Sequence, residues 1–248
     1  MYPEMMNLYG DRGNIAAMTQ RCRWRGIEVS VESLRVGDRP GDDYDILFIG
    51  GGQDREQLLV RDDLMANRDH WAETTAGGLV VLAVCGGYQL LGREFLTHEK
   101  ERIDGLGLLD IATVGGKKRL IGNVIARADW APGKPALIGF ENHSGRTKLG
   151  AGVEPLARVE VGFGNDGRAG TEGARRGNIF GTYLHGSLLP KNPWFADHLL
   201  ESALRRKYGD GFKLEALADE LETAARSAVT RRIRDVRRRR WLPELLKR

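Results

Sequence analysis

The sequence has few cysteines and lacks the long apolar runs of secreted and membrane proteins. It contains only Cys22 and Cys85 in 248 residues, too few for a disulfide framework, so a reduced, cytoplasmic protein is expected. The first twenty residues include charged side chains and a proline but no apolar run, so no secretory signal peptide is expected. No stretch approaches the roughly 20 apolar residues that span a bilayer.

Two kinds of ligand-binding motif are also missing. No Cys and His cluster has the spacing of metal ligands, and no GxxxxGK[ST] phosphate-binding motif occurs. We therefore expect no metal or other cofactor in this chain. A composition of 41% apolar and 29% charged residues is ordinary for a globular protein, and a chain of this length can form one well-buried domain.

The net charge of +4 is unevenly distributed. Residues 226–248 hold ten basic and two acidic side chains, whereas the rest of the chain holds 28 basic and 32 acidic ones. Apolar residues spaced three or four apart predict a helix that begins near residue 213 and carries these arginines. We expect a domain over 1–208 and a helical, arginine-rich extension over 209–248. Nucleic acid or another anionic surface could bind such a tail, although terminal charge runs are usually solvated and Trp241 is the only aromatic residue within 226–248.

The first half of the chain alternates strand and helix patterns. Apolar runs at 45–50 and 78–84 suit buried parallel strands, alternation at 27–31 suggests another strand, and helices are expected at 13–25 and 53–70. This order favours an α/β fold with a doubly wound, mostly parallel sheet flanked by helices. Ligands bind such sheets at the carboxyl ends of the strands.

The second half has short strand patterns separated by glycine turns. Strands are expected near residues 108–114, 120–126, 136–140, 155–161 and 178–184. Asn192 and Pro193 form a cap and first-turn pair that predicts a helix to about Tyr208, with Gly209 as its stop.

Residues 81–89, Val-Leu-Ala-Val-Cys-Gly-Gly-Tyr-Gln, place Cys85 between a buried strand and a helix-compatible segment over Tyr88–Phe95. Such a strand–turn–helix elbow presents the side chain at its tip above the sheet, and the following glycines tolerate the sharp turn. Backbone N–H groups at the start of the helix favour the thiolate. Cys85 is therefore the candidate nucleophile, and a buried structural cysteine is the alternative.

His185 stands at the end of an apolar strand pattern, about one hundred residues after the elbow. Cysteine and histidine are the minimum machinery of thiolate catalysis, because the imidazole takes the thiol proton and later protonates a leaving amine. His185 is thus the candidate base, and a structural histidine is the alternative.

The elbow resembles that of class I, triad-type glutamine amidotransferases, whose Cys-x-Gly-x-Gln pattern is matched by Cys85, Gly87 and Gln89. Within that class the chain is most similar to the cobyric-acid-synthase-like branch. The opening, Tyr2–Asn14, is similar to the glutaminase subunits of lipid II isoglutaminyl synthases. The resemblance spans about residues 2–200 and rests on that opening and on residues 48–54, 84–89, 139–147 and 181–186.

The resemblance implies that Cys85 forms a γ-glutamyl thioester with glutamine and releases ammonia, with His185 as general base and acid. The amide of Gly86, with one from the loop containing Gly51 and Gly52, would form the oxyanion hole. The resemblance also assigns a downstream basic residue to the glutamine carboxylate, and Arg119 is the best match because its guanidinium can bind bidentately. A solvated loop charge is the alternative for that residue.

Three neighbouring side chains have roles that the resemblance leaves open. Gln89 is a candidate substrate-binding residue, but securing the elbow helix suits it better. His143 and Asn142 either line the site or have an ordinary loop role.

The chain departs from the class in two places. Gly186 and Ser187 follow His185, so the glutamate that many class I enzymes place two residues after the histidine is absent, as is common in this branch. No other acid has support from the resemblance, and we hypothesise that a partner subunit supplies the carboxylate. Similar chains also have a strand before the Tyr-Pro pair, so either that strand is lost or the start lies upstream of Met1.

The resemblance implies a heterodimer in which this chain supplies ammonia to a Mur-ligase-like subunit. That partner would carry ATP, Mg²⁺ and lipid II, whose D-glutamate becomes amidated to D-isoglutamine. The alternative from the same class is the amidotransferase subunit of a cobyrinate-type synthase. A non-enzymatic binder of anionic surfaces, acting through the arginine-rich tail, is the alternative from another class.

Overall fold

The computed structural model describes the backbone of residues 1–245 and the side chains of residues 1–235 except Tyr9. Its helices are α1 (Arg12–Arg23), α2 (Asp54–Ala66), α3 (Arg68–Ala76), α4 (Gly86–Leu90), α5 (Leu188–Lys191), α6 (Pro193–Tyr208) and α7 (Glu220–Leu245). Its strands are β1 (Ile46–Ile49), β2 (Val80–Val84), β3 (Glu94–Leu96), β4 (Arg102–Asp104), β5 (Ile111–Arg127), β6 (Leu137–Leu149), β7 (Ala157–Val161), β8 (Thr171–Glu172), β9 (Ala174–Arg176) and β10 (Ile179–Thr182).

The first sheet has the order β1-β2-β10-β9, and its first three strands are parallel. All five residues of the central strand β2 are buried, as expected for a parallel strand covered on both faces. Because β2 and β10 are parallel neighbours, the residues that follow them, Cys85 and His185, emerge at the same edge. The predicted α/β fold is confirmed, with this sheet at its centre.

A second sheet has the order β4-β3-β5-β7-β8, and β6 also pairs with β5. The two strands predicted near 108–114 and 120–126 form one long strand, β5, whose register against β6 shifts between Gly115 and Leu120. The two sheets meet where Phe140 of β6 forms an antiparallel bridge with His185. The histidine thus lies at the junction of the sheets.

Two local predictions from the sequence are wrong. The elbow helix α4 has five residues, and the chain then enters β3. Residues 27–31 form no strand, and Val29 and Val31 are 37% and 55% exposed. A strand requires a neighbour to take its N–H and C=O groups, and no described strand pairs with this segment.

The C-terminal helix starts at Glu220 and not near residue 213. The Glu215 carbonyl accepts a hydrogen bond from Arg25 Nε at 2.5 Å, and Leu214 packs against the core. Tertiary contacts therefore hold the segment before the helix, which has no regular secondary structure.

The predicted helical extension is present as α7, which packs on the second sheet. Ile233 lies against Ile125 and Ile138, Arg226 donates to the Ala136 carbonyl, and an Arg234 nitrogen lies 3.2 Å from a Glu160 carboxylate oxygen. The side chains of the later arginines lie outside the described residues, and the domain boundary at 208/209 stays a prediction. None of the helices described combines the length and apolar composition needed to cross a bilayer.

Candidate active site

The elbow expected at Cys85 is present and strained. Cys85 has φ 51° and ψ −105°, a conformation that costs a non-glycine residue about 1–3 kcal/mol and tends to occur at functional sites. Two backbone hydrogen bonds hold it, because Cys85 N–H donates to the Thr182 carbonyl at 2.8 Å and Gln89 N–H donates to the Cys85 carbonyl at 3.0 Å. The side chain is 8% exposed, so the sulfur lies at the base of the site.

His185 is fully buried beside Cys85. Its N–H donates to the Phe140 carbonyl at 2.7 Å, and its carbonyl accepts the Phe140 N–H at 3.3 Å. Burial disfavours the protonated ring, but the negative charge of Cys85 and the nearby Asp11 and Cys85 side chains outweigh burial and raise the pKa of His185 to about 10. The imidazolium form of His185 is therefore favoured at neutral pH.

Asp11 is the acid that faces the far side of this imidazole. Its Oδ1 lies 3.6 Å from His185 Nδ1, and both side chains are fully buried. Its Oδ2 accepts the Gly51 N–H at 2.7 Å, which fixes the carboxylate. Asp11 is therefore a candidate within this chain for the orienting acid, which the sequence left unidentified. Distance along the chain concealed Asp11, although it belongs to the opening segment that carried the family resemblance.

We expect Asp11→Asn to lower the kcat of glutamine hydrolysis roughly 100-fold with little change in KM, because the amide no longer stabilises the imidazolium that forms during reaction. Asn retains an oxygen for the Gly51 N–H, so the loop geometry should persist. Steady-state kinetics and a thermal melt measure the effect. Asp63→Asn is a matched control, because Asp63 accepts bonds from Tyr2 and Gly37 away from the site. A loss below threefold would contradict the role of Asp11.

The loop after β1, residues 50–52, is called the glycine loop here, and its backbone lies very close to the elbow. A Cβ on Gly86 would lie 2.5 Å from the Gly52 carbonyl oxygen and 2.8 Å from the Gly52 nitrogen. A Cβ on Gly51 would lie 2.8 Å from His185 Cε1. The Gly51 amide is already used by Asp11, so Gly52 is the better loop partner for Gly86 in an oxyanion hole.

Gln89 lies behind the elbow and is almost fully buried. Its amide group donates to the Tyr183 hydroxyl at 3.2 Å, and its carbonyl oxygen accepts a bond from Gln57 at 2.9 Å. These contacts support the interpretation that Gln89 secures the elbow helix. His143 stacks on Tyr183 with ring centroids 3.6 Å apart, and its Nδ1 lies 2.9 Å from the Gly145 carbonyl, which supports a packing role.

Arg119 is exposed, in the irregular part of β5. Its Nε donates to Asn142 Oδ1 and its Nη2 to the Asn142 carbonyl, both at 2.6 Å. Asn142 follows Phe140, the bridge partner of His185, by two residues. Burial raises the pKa of Asp54, the first residue of α2, and the positive charge of Arg119 opposes that effect. Arg119 belongs to the β5–β6 hairpin, and its charge reaches Asp54, which follows the loop over residues 50–52. Cys85, His185 and Asp11 form the buried centre.

Among the described residues, no group of three or more His, Cys, Asp or Glu side chains could hold a metal ion. The buried centre brings together a candidate nucleophile, a candidate base and a carboxylate that faces the base.

Comparison of the sequence identifies relatives of this chain. Residues 1–193 match the CobB/CobQ-like glutamine amidotransferase domain. The subunit GatD of the glutamine-hydrolysing lipid II isoglutaminyl synthase of Staphylococcus aureus is 39% identical over 91% of each chain. Its Streptococcus pneumoniae counterpart is 38% identical over 89% of this chain and 85% of that protein. A probable cobyric acid synthase of Methanothermobacter thermautotrophicus is 34% identical, over 64% of this chain and 33% of its own length.

Solved structures with low sequence identity share the fold. A glutamine amidotransferase crystal structure superposes with a TM-score of 0.54 at 20% identity, covering 80% of this chain and 97% of that one. The glutaminase domain of Trypanosoma brucei CTPS with bound acivicin gives a TM-score of 0.51 at 10% identity, covering 79% and 89%. The arrangement of sheets and helices is therefore common to these proteins.

Proposed function

The chain belongs to the CobB/CobQ-like glutamine amidotransferase family, and from that membership we propose that it is the glutaminase subunit of a lipid II isoglutaminyl synthase. The observation that carries the proposal is the strained Cys85 beside a buried His185 backed by Asp11. The identity to GatD proteins over about nine-tenths of the chain supports the choice of acceptor.

In the proposed reaction, the Cys85 thiolate attacks the side-chain carbonyl carbon of glutamine and a C–S bond forms. The amides of Gly52 and Gly86 donate to the resulting oxyanion. Asp11 faces Nδ1 of His185, so Nε2 is the nitrogen that protonates the leaving amine, after which the C–N bond breaks and ammonia departs. Water, deprotonated by His185, then cleaves the thioester to glutamate and restores the thiolate.

Arg119 is proposed to bind the α-carboxylate of glutamine. Asn142 already holds its guanidinium in place through two hydrogen bonds, so less side-chain entropy is lost when a carboxylate binds. Its positive charge acts on Asp54 at the start of α2, and the loop that would receive the substrate carbonyl directly precedes that helix.

Arg119→Ala should raise the KM for glutamine about tenfold or more with a smaller effect on kcat, because a carboxylate clamp acts equally in the ground and transition states. Initial rates over a range of glutamine concentrations measure this. Lys117→Ala, an exposed cation of the same strand, is the control and should leave KM unchanged. An unchanged KM in Arg119→Ala would move the role to Arg146, which now bonds the carbonyls of Ser144, Gly145 and Lys118.

The proposed partner is a Mur-ligase-like subunit that forms a heterodimer with this chain in the cytoplasm. It would bind ATP, Mg²⁺ and lipid II and use the ammonia to amidate D-glutamate. Support comes from the relatives' designation as a subunit and from the lack of a P-loop motif in this sequence.

The test is to purify the chain with a co-encoded Mur-ligase-like protein and to assay glutamate release and amidation of lipid II, with glutamine as the nitrogen donor. Glutamine-dependent amidation by the pair, abolished by Cys85→Ala but restored by added ammonia, would support the proposal. Amidation of a cobyrinate-type acceptor in place of lipid II would contradict it. Binding to nucleic acid without glutaminase activity would favour the arginine-rich tail as the functional part.

A further inference from the structure

The chain stays inside the protein after β10 has ended. The strand stops at Thr182, yet Tyr183, Leu184 and His185 are all fully buried. Buried amides need hydrogen-bond partners, since an unpaired one costs about 1–3 kcal/mol. The His185 amide is satisfied by Phe140, so the two preceding amides must find partners outside a strand ladder.

Glu172 supplies those partners. Its Oε1 accepts the Tyr183 N–H at 2.7 Å. The Leu184 N–H donates to the Thr182 hydroxyl at 3.0 Å, and that hydroxyl donates to the Glu172 carboxylate at 3.0–3.1 Å. One side chain therefore holds, directly or through one hydroxyl, both amides that lead to the candidate base.

The anchor comes from the other sheet. Glu172 belongs to β8 of the second sheet, whereas β10 belongs to the first. The Phe140 bridge also reaches His185 from the second sheet. The imidazole's distance from Cys85, which is fixed to β2, therefore depends on how β8 and β6 hold residues 183–185.

We propose that Glu172 is a positioning residue whose side chain sets the placement of His185 against Cys85. It touches no substrate and acts through the backbone of the segment before the histidine. The proposal deepens the proposed glutaminase function, because it concerns the same cysteine–histidine pair.

The electrostatic surroundings of Glu172 decide the charge that its carboxyl group carries. Burial raises the pKa of Glu172 to about 8. The negative charge of Glu141 raises this pKa further, whereas the hydrogen bonds from Tyr183 and Thr182 and the charge of His185 lower it. Tyr88 also faces the group, and its own pKa is raised mainly by burial and further by Tyr183 and Glu172. With its pKa raised to about 8, Glu172 is mostly uncharged at neutral pH, so its side chain acts there through its hydrogen bonds and not through a negative charge.

The test compares Glu172→Ala and Glu172→Gln in the full chain. The main readout is the alkylation rate of Cys85 by iodoacetamide as a function of pH, followed on the Cys85 peptide by mass spectrometry, which requires no glutamine. Displacing His185 weakens its pairing with the thiolate, so Glu172→Ala should slow alkylation at neutral pH about tenfold and move the profile to higher pH by about one unit. It should also lower kcat more than KM rises.

Glu172→Gln retains an oxygen for the Tyr183 amide and should recover the rate to within about threefold of the parent. Glu141 offers a matched control, because it is equally buried and its carboxylate accepts the amides of Phe163 and Gly164 at 2.6 and 2.8 Å. Those amides belong to a loop outside the 183–185 segment. Glu141→Gln should therefore change the melting temperature without moving the alkylation profile.

Several outcomes would overturn the proposal. A Glu172→Ala profile that coincides with the parent's, or an equal shift in Glu141→Gln, would reduce Glu172 to general packing. If Glu172→Ala fails to fold, Thr182→Val replaces it, because this variant removes only the hydroxyl that links the Leu184 amide to Glu172. Thr182→Val should shift the alkylation profile in the same direction. Thr182→Ser keeps the hydroxyl and should restore the parent profile. A shift in a chain that lacks glutaminase activity would retain the positioning role and refute the proposed function.

Discussion

Cys85→Ala is expected to abolish glutamine hydrolysis while leaving the fold intact. In the proposed reaction the Cys85 thiolate forms the covalent bond, and loss of a nucleophile in a catalytic unit typically lowers kcat by roughly 10⁴-fold or more. The sulfur is slightly exposed, and Ala occupies less space in the same backbone conformation. Production of glutamate from glutamine, measured beside a thermal melt, checks both parts of the expectation.

The matched control is Cys22→Ala. Cys22 is also buried, but it packs in the cluster with Met18 and Leu199 and not in the cluster around the elbow. It should lose some stability and retain glutaminase activity. A rate of glutamine hydrolysis by Cys85→Ala within tenfold of the parent's rate would refute the assignment of Cys85 as the nucleophile.

Cys85→Ala also tests how much Cys85 contributes to the raised pKa of His185. Cys85 contributes to the raised pKa of His185, so its removal should lower that pKa. An NMR titration of the imidazole in Cys85→Ala and parent proteins would show this. An unchanged titration would mean that Asp11 alone maintains the imidazolium.

The elbow could be predicted from the sequence because its signal is local. A fully buried strand, a cysteine and two glycines follow one another directly, and each residue constrains the next. Even so, the helix after Cys85 ends at Leu90 because the backbone turns to join β3, and that ending depends on a second sheet which the local pattern does not reveal.

Asp11 and Glu172 could not be found in this way. Neither lies near His185 in sequence, and no spacing rule connects them with it. Their roles arise from burial: Asp11 is held by the Gly51 amide, and Glu172 by the Tyr183 amide. A carboxyl group becomes a functional candidate here only when the fold removes it from water and aims it at the histidine or at the backbone that carries it.

Each of the two sheets positions one member of the candidate cysteine–histidine pair. The first sheet fixes Cys85 at the end of β2, in a strained conformation. The second sheet holds residues 183–185 through hydrogen bonds with Phe140 and Glu172, and this segment carries His185 to Cys85. The spacing between nucleophile and base is thus a property of the packing between sheets, so changes at that junction should alter catalysis more than they alter stability.

His185→Ala should lower kcat by roughly 10⁴-fold, because the imidazole both deprotonates the thiol and protonates the leaving amine. His198→Ala is the control: His198 is a mostly buried histidine of α6 whose ring lies against Trp130 and Phe180, in the core behind the sheet, and its loss should affect stability and not kcat. Activity of His185→Ala within tenfold of the parent would exclude His185 as the base.

A double mutant sharpens the expectation. Asp11 is argued to act through His185, so Asp11→Asn should have almost no further effect on kcat once His185 is alanine, whereas alone it costs roughly 100-fold. Residues that act as one unit give such non-additive losses. If the two losses instead multiply, Asp11 has a function apart from the imidazole, and its hydrogen bond from Gly51 in the loop beside the elbow would be the contact that carries it.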